Sequence, residues 1–304
     1  MIMECIKGGF DLANRNLQLV IVRLITAAIN LISLLVFLGV PLMAAAAYLG
    51  FDLARAEDFL PHLIREPSAF LSRYLGLVFL IGISFVFYLV FSSVIILYSL
   101  GGALGVLRNS ALDALYKFSL SSFFSEANRN FSRLFRLVFV MSVFFMLLAF
   151  VLIVTGGIAS ALLNAFQEGT SFLEVFLGSF IMMSIMVFGA MIFAVYLMLI
   201  VYSMIVSVTE GKGAADSVKR AFNFLKEKPR AFLLFIVLFA GVAVLNLLLF
   251  ALRAPFGLVP FVGIMMTLMI AVFQNYFAVV MWSALTACYI RWTKHPLHSA
   301  TYEI

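Results

Sequence analysis

Charge is what this chain has least of. Only 11% of its 304 residues are Asp, Glu, Lys or Arg, too few to give a water-soluble core of this size a polar surface. No polar stretch is long enough to hold a separate soluble domain either. Histidine and cysteine are nearly missing, with three and two copies. His62 falls in a loop, and His295 and His298 fall in the tail with no Cys or carboxylate cluster beside them, so no metal site is expected. The sequence also contains no nucleophile motif, phosphate-binding loop or paired carboxylates. No catalytic residue and no cofactor are expected, and the chain reads as a non-enzyme.

What is there is hydrocarbon. Hydrophobic residues make up 65% of the chain and the mean hydropathy is +1.16. A spanning helix needs about 20 apolar residues. Six such runs occur, near Leu24–Gly50, Leu75–Leu104, Leu137–Leu162, Val175–Val208, Ala231–Leu252 and Val262–Ile290. In lipid the backbone must satisfy its own hydrogen bonds, so the runs predict six helices and an all-α integral membrane protein. The first run, preceded by Lys7, Arg15 and Arg23 and ending in Ala44–Ala47, imitates a signal peptide, but its leader and apolar stretch are both too long. It reads as a retained anchor.

Orientation follows from the basic residues, because cytoplasmic segments retain them. Sixteen lie in the N-terminal segment, in the links after the second and fourth runs and in the tail, against Arg55, Arg65, Arg73 and Arg253 on the other side. Both termini are therefore expected in the cytoplasm. The net charge of +6 does not point to nucleic acid, since the cations sit in short segments between apolar runs. Cys5 and Cys288 both fall on the inner, reducing side, so no disulfide is expected.

A basic amphipathic segment precedes each odd-numbered run. Two of these segments share a tetrapeptide, Ala13-Asn14-Arg15-Asn16 and Ala127-Asn128-Arg129-Asn130, with Phe10 and Phe124 at equivalent positions before it. A looser third copy has Val218, Ala221, Phe222 and Leu225 at helical spacing, with Pro229 before the span. This predicts one membrane domain, 1–304, of three repeats near 1–104, 105–208 and 209–304, each an interfacial helix plus a helical hairpin. Helices of this kind lie in the headgroup plane. Arg15, Arg129, Arg133, Lys219, Arg220, Lys226 and Lys228 would form a basic collar that engages membrane lipid or a protein partner.

The runs themselves contain no deep charge, which argues against ordinary proton-coupled transport. Their main polar groups are Asn30, Asn246, Gln274 and Asn275, read as interhelical glue or, more sharply, as a substrate site. Gly101-Gly102, Gly156-Gly157, Gly189 and Gly241 would allow close helix approach, and Pro41 a bend in the first span. The link from Arg253 to Phe261 reads as a tight connection.

The run Val206-Ser207-Val208-Thr209-Glu210-Gly211-Lys212-Gly213, followed by Ala215-Asp216-Ser217-Val218-Lys219-Arg220-Ala221-Phe222, resembles a bacterial pattern. It is similar to the six-helix membrane domain attached to some glycerophosphoryl diester phosphodiesterases and to stand-alone membrane proteins related to it. The resemblance implies six spans across the whole chain. It does not imply hydrolysis, which in that family belongs to a soluble barrel for which this chain has no room. Two functions remain open: a scaffold or assembly factor acting through the collar, or a carrier of a lipid or amphipathic solute.

Overall fold

The computed structural model describes residues 2–48, 75–167, 172–256 and 260–294, and every element among them is helical. In chain order these are α1 (Ile2–Arg15), α2 (Gln18–Leu34), a π-helical turn (Leu35–Gly39), α3 (Val40–Tyr48), α4 (Leu75–Leu112), α5 (Leu120–Gln167), α6 (Phe172–Glu210), α7 (Ala214–Glu227), α8 (Arg230–Phe256) and α9 (Pro260–Lys294). Six stretches are long and apolar enough to cross a membrane, Gln18–Ala47, Leu75–Leu112, Leu120–Ile158, Gly178–Glu210, Arg230–Arg253 and Phe261–Thr293. All six expected runs are present. His62, His295 and His298 lie outside the described residues, as does part of the link between α8 and α9.

Several helices overshoot the apolar runs. α4 has 38 residues and α5 has 48, about 57 and 72 Å at 1.5 Å per residue, against a hydrocarbon core of about 30 Å. In α5 the amphipathic segment is continuous with the span, where a separate interfacial helix was expected. The reason is local: neither Gly nor Pro occurs between Leu120 and Thr155. The other two copies do end before their spans. At the first, the Asn16 side chain donates to Leu12 O at 2.8 Å and its own N–H to Ala13 O at 3.0 Å, closing a turn. At the third, Pro229 follows Lys228 and excludes the helical region for it.

The bend expected at Pro41 takes the form of the π-helical turn just before it. Val40 donates to Leu35 O, five residues back, and the wider turn accommodates a proline that has no N–H to donate.

The chain divides into two compact units, one of Gln18–Leu100 and one of Met1–Leu17 with Gly101–Ile304. In the first, Thr26 Oγ1 lies 3.0 Å from Ser99 Oγ and the Phe37 and Phe91 rings are 5.5 Å apart. In the second, α1 runs antiparallel along α9. Cys5 meets Cys288, Gly9 meets Ala284, Phe10 packs edge-on to Phe277 at 6.3 Å, and Tyr276 donates to Asn14 at 2.8 Å. α5 and α6 form a hairpin in which Tyr196 donates to Met141 O at 3.0 Å. α7 folds back on α6 after Gly211, whose φ of +70° suits a residue without Cβ.

Burial is concentrated at the span ends. Tyr202, Tyr289, Leu104, Leu107, Leu134, Leu137, Ile205, Leu234 and Leu285 are almost fully enclosed. By contrast, at most 17% of the most apolar window of any span is buried, leaving the rest for lipid to cover.

Candidate functional site: the layer at the span ends

Each amphipathic segment buries a stripe of one register. Gly9 and Ala13 of α1 are buried with Asn16 just after it, Phe123, Ala127 and Asn130 in α5, and Ser217, Ala221 and Phe224 in α7. The central Ala is 0% exposed in all three. The stripes meet protein: α1 covers the end of α9, the start of α5 covers the end of α4, and α7 covers the end of α6. The apolar faces expected to lie on lipid are thus turned inward, with Phe124 and Phe222 left exposed beside them. A helix that finds a close-packed protein groove gains dispersion contacts beyond those of a loose interface.

Small residues make that fit possible. A Cβ at Gly9 would stand 2.5 Å from Ala284 Cβ, one at Gly102 2.5 Å from the Phe123 ring, and one at Gly105 2.6 Å from Glu126 Cβ. The close approach expected at Gly101-Gly102 is present. Among the described residues it is not present at Gly156, Gly157 and Gly241, where a Cβ would meet nothing within 4 Å, and Gly189 would touch Leu152 at 3.9 Å.

A buried carboxylate organises one half of the layer. Glu126, with its side chain 8% exposed, forms ion pairs with Arg108 at 3.4 Å and with Arg129. It also accepts from Asn109 at 3.1 Å and Asn130 at 3.2 Å. Arg108 reaches on to Val208 O at 3.0 Å, tying the end of α4 to the end of α6. The other half centres on Glu210, which pairs with Lys212 at 2.7 Å and Arg220 at 3.5 Å and accepts from the Tyr289 hydroxyl. Arg220 holds its proton more tightly than an ordinary guanidinium: burial works against this, but Glu210 and Tyr289 together outweigh it. Sequence reading missed both glutamates. Their signal was a carboxylate within a few residues of several cations, Glu126 beside Arg129 and Glu210 beside Lys212.

These contacts divide the collar by residue type. Arg15 donates to the carbonyls of Asp113 and Ala114 at 3.4 and 2.5 Å, Arg129 and Arg220 bind glutamates, and the Arg133 guanidinium abuts Gly211. Lys219, Lys226 and Lys228 are exposed. A planar fork suits fixed internal partners, whereas a flexible ammonium suits a changing one.

The expectation of free thiols is corrected. Cys5 and Cys288 form a disulfide across 283 residues of sequence, with their Cα atoms 5.5 Å apart. The expectation rested on a reducing compartment, and nothing in the spacing reveals that α1 lies along the last span and sets the two sulfurs side by side. That contact joins the N-terminal segment to the rim of α9, Arg15 joins it to 113–114, and Arg108, Glu210 and Tyr289 join the remaining ends. The basic segments therefore meet in one layer.

Of the four amides, Asn246 and Gln274 are brought together. Gln274 donates to Asn246 at 2.9 Å between α9 and α8, as interhelical glue does. Asn275 donates to Ala271 O of its own helix at 2.8 Å. Asn30 belongs to the other unit. No group of three or more His, Cys, Asp or Glu side chains suited to a metal occurs among the described residues. No family model, curated protein or solved structure matches this chain.

Proposed function

We propose that this chain is a non-enzymatic scaffold of the bacterial inner membrane, with both termini cytoplasmic, that presents a lysine face to an anionic lipid surface or an acidic protein partner. The observation that carries the reading is α7. Ser217, Ala221 and Phe224 bind it to the protein, while Lys219 and Lys226 stand exposed on the remainder of the helix and Lys228 just past its end. Each cation near an anionic surface gains about 1 kcal/mol. The gathering of the basic segments in one layer supports a common cytoplasmic side, and the shared Ala13, Ala127 and Ala221 register supports three repeats. The resemblance to membrane domains that carry no catalytic barrel fits the same reading.

The test is gentle extraction followed by mass spectrometry of co-purifying lipids and proteins. A K219Q/K226Q/K228Q variant is the control, leaving Arg220 in place because it binds Glu210. Loss of a stoichiometric partner or of bound anionic lipid in the variant is expected, and an unchanged set of companions contradicts the reading. The carrier reading rests on the amides, of which Asn246 and Gln274 already bind each other.

A further inference from the structure

A second apolar stripe runs along α7 beside the one that protein covers. Each residue advances about 100° round a helix, so the buried Ser217, Ala221 and Phe224 are followed on one side by Leu225, Val218 and Phe222. Leu225 and Val218 are half-buried and Phe222 is 59% exposed. Lys219 and Lys226 come next, then Asn223, Asp216 and Glu227, and Arg220 closes the circle at Glu210. The cations thus border the apolar flank, and the acids lie on the far side. We propose that this flank rests in the anionic leaflet around the span ends, with Phe222 among the acyl chains and Lys219 and Lys226 at the phosphates. The proposal rests on the lysine face described above and names lipid as its partner.

Connectivity sets the depth of α7. α6 ends at Glu210 and α8 begins at Arg230, so residues 211–213 and 228–229 are all that joins α7 to the ends of two spanning stretches. A helix of 14 residues, about 21 Å long and held at both ends in this way, lies along the membrane surface. Phe232 and Leu233, exposed on the first turn of α8, mark where the lipid-facing wall begins just past the end of α7.

The order of groups round the helix decides between partners. A leaflet offers hydrocarbon below and phosphate above it, the order in which Phe222 and then Lys219 and Lys226 occur. Lysine stems lie along apolar surface while their ammonium groups reach the headgroups, where anionic lipid attracts them. An acidic protein approaching from the water would meet Asp216 and Glu227 on the far flank and would leave Phe222 uncovered.

Tryptophan emission of the full chain in vesicles tests this. F222W keeps an aromatic ring on the apolar flank, and N223W places one on the opposite, acidic side. Each variant is reconstituted in equimolar phosphatidylcholine and phosphatidylglycerol, with and without bromine on the acyl chains, and the emission of the unaltered chain is subtracted to remove Trp282 and Trp292. Bromine is expected to quench the emission added by F222W by more than half and to leave that added by N223W nearly unchanged. Combining F222W with K219Q/K226Q, or replacing phosphatidylglycerol with phosphatidylcholine, is expected to cut that quenching at least twofold. Equal quenching of F222W and N223W overturns the proposal, and so does quenching of F222W that ignores both the lysines and the lipid charge. Emission added by F222W that stays unquenched, while K219Q/K226Q/K228Q still sheds a protein companion, overturns the lipid assignment and leaves the lysine face standing, so the two readings fail separately.

Discussion

The span ends and the span middles of this protein are built on opposite rules. At the ends, helices interlock through glycine and alanine, a carboxylate is buried among cations, and Tyr202 and Tyr289 are nearly inaccessible. In the middles, Phe, Leu, Ile and Met face outward, and a Cβ added at Gly241 would touch nothing among the described residues. Lipid replaces protein as the packing partner there, so burial against other helices supplies little. The lesson is that length and apolarity define the spans while a small set of polar and tiny residues at their ends defines how they join.

Several substitutions break that contrast if it is wrong. The largest effect is expected from Glu126→Ala, which leaves Arg108 and Arg129 without their carboxylate. Removing one partner of a buried pair typically costs about 3–5 kcal/mol, read as a fall in the thermal midpoint in detergent. The same change at an exposed carboxylate such as Asp216 should have no measurable effect on that midpoint.

Next comes steric crowding. Gly102→Leu should cost about 1–3 kcal/mol by forcing Phe123 aside, whereas Gly241→Leu should cost less than about 0.5 kcal/mol. Equal losses at the two sites would erase the distinction between ends and middles. Tyr202→Phe removes a buried hydrogen bond to Ala231 O, 3.0 Å long, and should cost about 1 kcal/mol in the same measurement. The smallest effect is expected from Asn246→Leu, about 0.6 kcal/mol, the average for an interhelical bond within a membrane. If reconstituted vesicles of that variant lost a solute flux shown by the unaltered chain, the amide pair would be a transport site and not glue.

The sequence made the middles legible and left the ends largely hidden. All six runs could be read because twenty uncharged residues have few structural alternatives in a membrane. The boundaries moved because helix continuation beyond the hydrocarbon depends on breakers: Leu120–Asn130 joins the third span for want of one, while Pro229 separates α7 from the fifth. The collar was half legible. Its cations were identifiable as residues, and Glu126 stands only three positions from Arg129 on the same helix, but the 113–114 carbonyls that hold Arg15 come from another segment and leave no mark in local spacing. Cys5 and Cys288 show the same limit most plainly, since only the antiparallel seating of α1 on α9 brings them together.

That seating closes the layer and is the most direct test of it. Membranes are treated with a mild thiol oxidant, blocked with an alkylating reagent under denaturing conditions and digested without reductant, and the peptides are identified by mass spectrometry. A single species joining the Cys5 peptide to the Cys288 peptide is the predicted result. Two separately alkylated cysteines after oxidation would mean that α1 does not lie along the last span, and the account of a single packed layer would fail.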